Sequence, residues 1–225
     1  MHTSCREHFS AKDIQFVAET LADTRASRRQ LTAFLAEPTD RDAVLDNDRL
    51  LKVLLEQPQP ISVSAQFYFY MLSRSVLKTY GRDITDYVAS VLVSFVKPRR
   101  GGVSGTEIDT DAFYVTDMLA ALKAVPSEQA YFIRAQIGDR ALFLTGIFPQ
   151  HLKLRAQSRG APDIGFFEQV GSASYRQASR HRLARENALE EVYRVIGDQF
   201  SEVRQCLNQL GDRLICLEPA GNPLS

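Results

Sequence analysis

Apolar side chains recur every three or four residues along most of this sequence, and this spacing constrains the fold more than any other feature. The clearest run lies near the C-terminal end and consists of Leu189, Val192, Ile196, Phe200, Val203, Leu207, Leu210 and Leu214. A turn of 3.6 residues places them on one face, so the sequence predicts one long helix over 189–214. Gly197 lies inside the run, and because the stripe keeps its phase there we expect a slight bend, not a break.

The same spacing predicts several other helices. One begins near Asp83 and stops before Pro98, and another follows Ser62 or Ser64, either of which can cap its start. Weaker patterns of the same kind predict helices over 10–36, 42–56 and 110–125. Together these segments account for most of the first half of the chain.

Residues 131–148 fit two different structures. Gly138 and Asp139 suit the two-residue turn of a hairpin, whereas Asp139 can also cap a helix that meets the next one at a corner between Gly146 and Pro149. A hairpin would be apolar on both faces, and no other segment offers strands to extend it into a sheet. Helices are therefore the favoured prediction.

These patterns predict an all-α fold, an irregular bundle of about seven to nine helices with a long C-terminal helix. A length of 225 residues allows one domain or two, and a single domain over 1–225 is the simpler expectation. Flexible ends are expected at 1–9 and 216–225. The sequence PRRGGVSG predicts an exposed loop at 98–108, since its glycines and proline do not sustain regular structure.

Composition favours a soluble protein of the cytoplasm. The 27 basic and 27 acidic residues balance, so no net charge draws the chain to nucleic acid or to an anionic membrane. Cys5, Cys206 and Cys216 form no CxxC pair, which argues against a disulfide framework or a zinc site. No apolar stretch approaches the roughly 20 residues of a membrane span.

No motif in the sequence specifies a chemistry. Ser75 and Lys78 match the S-x-x-K pattern, but the other elements of that enzyme class are missing. The aspartates of 40–48 lack the ligand spacing and central glycine of a calcium loop. The four histidines show no H-x-x-x-H spacing. The sequence thus predicts no catalytic residue, no metal site and no cofactor.

The segment 174–185, SYRQASRHRLAR, is the most unusual polar run. It contains four arginines at helical spacing, Arg176, Arg180, Arg182 and Arg185. Such a surface can bind phosphate, an acidic partner or nucleic acid. The other interpretation is a solvated helix face that the following acidic residues neutralise, namely Glu186, Glu190 and Glu191.

Aromatic residues cluster in AQFYFYML, residues 65–72, and again at Phe166 and Phe167. Such clusters can line a pocket between helices, as in a small-molecule-binding or enzymatic bundle. The candidate lining residues are Phe67, Met71, His151 and Tyr175. Ordinary core packing is the alternative explanation for these aromatic rings.

Three segments carry a family resemblance: DYVASVLVSFV, IGDRALFLTGIFPQHL and DIGFFEQVGSASYRQAS. The chain resembles a family of uncharacterised bacterial proteins over roughly residues 60–215, mainly in its G-D, T-G-I-F-P and G-S-A-S-Y elements. The resemblance implies a bacterial cytoplasmic protein. It brings no catalytic residues, because the family has no settled activity.

The favoured functional interpretation is a non-catalytic helical protein that acts by binding another macromolecule, most simply a protein. An exposed helix face or the loop at 98–105 would supply the contact surface. Self-association as a homodimer is also expected if part of the stripe at 189–214 stays uncovered. A ligand pocket and a nucleic-acid surface are the two alternatives.

Overall fold

The computed structural model describes residues 4–56, 63–98, 106–108 and 113–215. Within these ranges the chain forms one short 3₁₀ helix, thirteen α-helices and two strands of three residues each. The all-α class is confirmed. The predicted count of seven to nine helices is too low, because several segments that the sequence shows as one periodic run are divided into two helices.

The chain groups into two compact units, residues 1–93 and 94–225. The first unit holds a 3₁₀ helix (Arg6–His8) followed by α1 (Ala11–Leu21), α2 (Arg25–Ala36), α3 (Pro38–Leu45), α4 (Asp48–Glu56), α5 (Ala65–Val76) and most of α6 (Arg82–Phe95). The boundary between the units lies inside α6. The expectation of a single domain stays a prediction.

Side-chain caps explain where several helices of the first unit begin. The Ser10 hydroxyl accepts from the backbone N–H of Asp13 at 3.3 Å, and the Asp13 carboxylate accepts from that of Ser10 at 2.6 Å. Thr24 caps α2, which divides the predicted helix at 10–36. Ser64 caps α5 by accepting from the N–H of Phe67 at 3.1 Å, as one of the two predicted alternatives.

Asp13 also joins α1 to the start of α5. It is fully buried, and its carboxylate accepts from both the backbone N–H and the hydroxyl of Ser64 at 2.7 Å. A buried carboxylate is stable only when such donors surround it. The Asp13 side chain therefore takes part in the cap of α1 and also positions the start of α5.

Residues 4–9 are held by ion pairs, whereas the sequence predicts a flexible end at 1–9; residues 1–3 and the other predicted flexible end, 216–225, lie outside the described residues. Arg6 contacts three carboxylates, at 3.0 Å to Asp42, 2.9 Å to Asp83 and 3.7 Å to Asp86. The ring of Phe9 packs edge-on against Phe67 at 5.2 Å between centroids. Residues 4–9 thus contact α3, α5 and α6.

The second unit begins with the short strands β1 (Val96–Pro98) and β2 (Thr106–Ile108), which pair antiparallel. Its helices are α7 (Phe113–Ala121), α8 (Ser127–Ile147), α9 (Pro149–Arg159), α10 (Ile164–Ser179), α11 (Arg182–Glu186), α12 (Glu190–Asp198) and α13 (Phe200–Ile215). The two ends of the loop predicted at 98–108 are thus paired strands, and residues 99–105 lie outside the described residues.

The helical interpretation of 131–148 is confirmed, and α8 runs unbroken through Gly138. The predicted corner also exists, with Phe148 between the end of α8 and Pro149 at the start of α9. The capping role predicted for Asp139 is wrong. Asp139 lies in the middle of α8 and is 3 % exposed, and its carboxylate accepts from the Tyr175 hydroxyl at 2.8 Å.

The C-terminal stripe is divided at Gln199, where we expect one helix with a slight bend at Gly197. The helix α12 packs mainly on α10, whereas α13 packs mainly on α8, and the break allows the two halves to follow different neighbours. The stripe is buried: Val192, Ile196, Phe200, Val203, Leu207 and Leu210 are all at most 4 % exposed. These six residues are therefore covered within the unit, whereas Leu189 is half-buried and the side chain of Leu214 lies outside the described residues. Self-association as a homodimer stays a prediction.

None of the helices in the described part of the chain has both the length and the apolar content that crossing a lipid bilayer requires.

Candidate functional site

The four arginines predicted to bind anions lie on α10, α11 and the turn between them, and three of them already face carboxylates. Arg176 lies 4.0 Å from Asp198. Arg185 lies 3.7 Å from Glu190. Arg182 contacts Glu128 at 3.3 Å and also Glu186 one turn on.

These pairs support the interpretation of 174–185 as a neutralised helix face. Two of the three acidic residues that the sequence offers for it, Glu186 and Glu190, do pair with this run, whereas Glu191 contacts Arg194 instead. Exposed pairs are worth only about 0–1 kcal/mol each, but an incoming anion must displace them. Arg180 is exposed and has no carboxylate partner among the described residues. Anion binding here stays a prediction.

The four residues of the predicted pocket are divided between the two units. Phe67 and Met71 lie one turn apart on α5 in the first unit, and both are buried. In the second unit Tyr175 is fully buried in α10, whereas His151 is exposed on α9. Core packing accounts for Phe67 and Tyr175. A pocket formed by these four residues stays a prediction.

Met71 does line a small cavity of about 170 Å³ between α4 and α5, together with Ser75 and Lys78. The two residues of the S-x-x-K pattern are engaged elsewhere. The Ser75 hydroxyl donates to the carbonyl of Leu72 at 2.6 Å, and the Lys78 ammonium donates to Asp48 at 2.8 Å. A serine nucleophile needs a base within hydrogen-bond reach, and this lysine is not placed as one.

A charged network joins α3, α5 and α6 in the first unit. Asp46 accepts from Arg74 at 2.7 Å and from Arg82 at 2.8 Å, and these hydrogen bonds, that of Arg74 above all, lower the pKa of Asp46. Burial acts in the opposite sense on Asp86 and raises its pKa. Arginines of α5 and α6 thus pair with a carboxylate at the end of α3, and these contacts join the three helices.

Two reactive group types in the first unit are held in their protonated form. Burial raises the pKa of the Cys5 thiol to about 12 and that of the Tyr70 phenol to about 12. The thiolate is the nucleophilic form of cysteine, so Cys5 is not a nucleophile near neutral pH. Its role is packing.

An open groove lies between α1 and α2, and the sequence gives no clear sign of it. It measures about 500 Å³. Its apolar floor consists of Ala11, Ile14, Ala18 and Leu35, and its rim of Gln15, Glu19, Arg28 and Thr32. Leu35 is 2 % exposed, but most of the other side chains of α2 point to solvent, including Phe34 at 55 %.

Arg25, Arg28 and Arg29 form a basic triad at the start of α2. All three are exposed, and none has an ion pair with any residue that the structure describes. The helix α2 contains no acidic residue. The sequence by itself does not distinguish this triad from 174–185, since Asp23 lies two positions before Arg25 and could have paired with it.

The described residues contain no group of three or more metal-ligating side chains arranged to hold a metal ion. No family model, no curated protein and no solved structure matches this chain. The resemblance to a family of uncharacterised bacterial proteins therefore stays a prediction.

Proposed function

We propose that this protein is non-catalytic and acts by binding another protein, and that the groove between α1 and α2 is the binding site. The observation that carries this proposal is an open, mainly apolar groove between two helices, with one exposed arginine in its lining, Arg28, that has no ion pair with any described residue. Exposed apolar surface that is rimmed by polar residues is typical of protein interaction sites.

The shape of the groove suits a helical segment of the partner. On α1 the floor residues Ala11, Ile14 and Ala18 follow the spacing of a helix face. A third helix that lies across such a pair can place its apolar residues between theirs.

We place this role in the bacterial cytoplasm. Cys5 and Cys206 are free thiols, which suits a reducing compartment, and the family resemblance has the same implication. The engagement of Ser75 and Lys78 with other groups, and the protonated state of Cys5, support a binding role over catalysis.

Photo-crosslinking from the groove tests this proposal. A photo-reactive amino acid at the exposed rim position Gln15 is expected to crosslink one protein reproducibly in the native cells, and the same amino acid at exposed Arg49 on α4 is the control. The crosslinked segment, made as a peptide, is expected to bind the purified protein. Ile14→Glu should weaken that binding at least about tenfold, the cost of placing a charge in an apolar contact.

Two results would overturn the proposal. Crosslinks of equal yield and identity from both positions would mean nonspecific collision. Binding of the peptide that Ile14→Glu leaves unchanged, with circular dichroism showing a folded variant, would place the site elsewhere.

A further inference from the structure

We propose that the segment which occupies this groove is an acidic amphipathic helix, with its carboxylates directed at the basic triad Arg25, Arg28 and Arg29. The inference rests on the proposed function and adds the chemistry of the partner.

The triad lies at the start of the helix that forms one wall of the groove. Arg28 and Arg29 follow Arg25 by three and four positions, so the three side chains lie within about a third of the circumference of the first turns of α2. Arg28 lines the groove directly, and Thr32 and Leu35 continue the same stripe along the helix. The positive end of the α2 dipole lies at the same place and adds to the same potential.

Because the arginines of the triad have no ion pair with described residues, we infer that the partner is acidic. Arg182 elsewhere in the chain meets carboxylates of its own protein, whereas the three arginines of the triad meet none among the described residues. A helix that docks beside Arg28 removes water from its guanidinium, and among protein side chains carboxylates compensate that loss best. A neutral or basic helix provides no such compensation.

The apolar floor excludes a nucleic acid as the preferred occupant. Phosphates would pair with the arginines but would leave Ile14, Ala18 and Leu35 without apolar partners. An amphipathic helix satisfies both surfaces, with apolar residues at i, i+3, i+4 and i+7 and with Asp or Glu beside them.

The rim also fixes how this helix is turned about its axis. Glu19 lies on the α1 side and is held by the side-chain amide of Gln15 at 2.8 Å, whereas Arg28 lies on the α2 side. Carboxylates of the partner are attracted to α2 and repelled from α1. Its acidic residues should therefore flank the apolar stripe on one side only.

Selection from a displayed library of random peptides tests the inference. Peptides of about 15 residues are long enough for about four helical turns. Those enriched on the wild-type protein, and not on Ile14→Glu, are expected to be acidic with helical apolar spacing. The double variant Arg25→Glu/Arg28→Glu should weaken them at least about tenfold, and Arg49→Glu, outside the groove, less than about twofold. Binding should weaken steeply with salt.

The possible results separate the failure of the acidic partner from the failure of the groove as a protein-binding site. Enriched peptides that need Ile14 but are neutral or basic overturn the acidic partner and leave the groove as a protein-binding site. No enrichment that depends on Ile14 overturns both. A single-stranded oligonucleotide that binds through the arginines independently of Ile14 overturns both as well and identifies the phosphate backbone as the ligand.

Discussion

At the scale of single residues, two buried tyrosines differ in whether their hydroxyl group forms a hydrogen bond. Tyr175 in α10 donates to the buried carboxylate of Asp139 in α8 at 2.8 Å. Tyr70 in α5 is equally buried, but its hydroxyl has no hydrogen-bond partner among the described residues. The first hydroxyl stabilises the fold, whereas the second costs desolvation.

Replacing each of these tyrosines by phenylalanine should therefore have different effects. We expect Tyr175→Phe to lower the free energy of unfolding by about 1–3 kcal/mol, because Asp139 loses a donor in a buried site. Tyr70→Phe should cause no loss, since no described hydrogen bond is removed. Urea unfolding followed by circular dichroism measures both. An equal loss of unfolding free energy in both variants would contradict the conclusion that only the Tyr175 hydroxyl has a hydrogen-bond partner.

The cysteines provide a second test at this scale. In a Cys216→Ser background at about pH 8, iodoacetamide should label the partly exposed Cys206 and spare Cys5, which is 2 % exposed and has its pKa raised to about 12. Mass spectrometry of the alkylated peptides reports the two rates. In denaturant both should react. Comparable rates in the folded protein would show that the N-terminal segment is not held as described.

At the scale of elements, glycines inside helices let neighbouring helices approach. A Cβ at Gly171 in α10 would lie 2.6 Å from the Phe200 ring and 2.8 Å from the Cβ of Ala141 in α8. A Cβ at Gly138 in α8 would lie 2.8 Å from the Tyr175 ring. Helices α8 and α10 share the most extensive contact in the molecule's described part, and these glycines make it possible.

Gly171→Ala should therefore destabilise the protein by about 1–3 kcal/mol through overpacking, although alanine is the better helix former by about 1 kcal/mol. Gly165→Ala is the matched control in the same helix, since its nearest neighbour is the Asp163 carboxylate at an ordinary 3.4 Å. Thermal unfolding compares the two. A Gly171→Ala variant as stable as Gly165→Ala would mean that the helices lie further apart.

The contact of Asp46 with α5 and α6 predicts a dependence on pH. Arg74 lowers the folded pKa of Asp46, so the pair stabilises the fold above the unfolded pKa of about 3.9 and loses this effect as pH falls through the folded value. Because the pair is partly exposed, we expect less than about 1 kcal/mol. Arg74→Met should be less stable than wild type near pH 6, with the difference shrinking below about pH 4. If urea titrations show the same stability difference between wild type and Arg74→Met at every pH in this range, the predicted role of the pair is wrong.

At the scale of the whole molecule, acidic and basic residues are equal in number, but some arginines form ion pairs and others form none with the described residues. The described core of the C-terminal stripe, from Val192 to Leu210, is buried on α8 and α10. The basic triad, which has no ion pair with a described residue, lies beside the groove that we propose as the surface for association.

Sedimentation velocity tests the oligomeric state that these surfaces predict. We expect the mass of one chain over a wide range of concentration, because the apolar residues of the stripe from Val192 to Leu210 are covered by their own unit. A dimer that Ile14→Glu dissociates would mean that the groove binds a second copy of the chain. A dimer that this substitution leaves intact would require an interface outside the described groove and stripe.

The local sequence by itself determined the helical class, a serine cap for α5 at position 62 or 64, and a corner between Gly146 and Pro149. Each of these depends on residues within a few positions of one another, where backbone sterics, caps and periodicity act. The tertiary structure alone decided that Asp139 is a buried acceptor and that the last stripe breaks at Gln199. It also decided which arginines are paired, because burial and ion pairing depend on partners far away in the chain, such as Glu128 for Arg182.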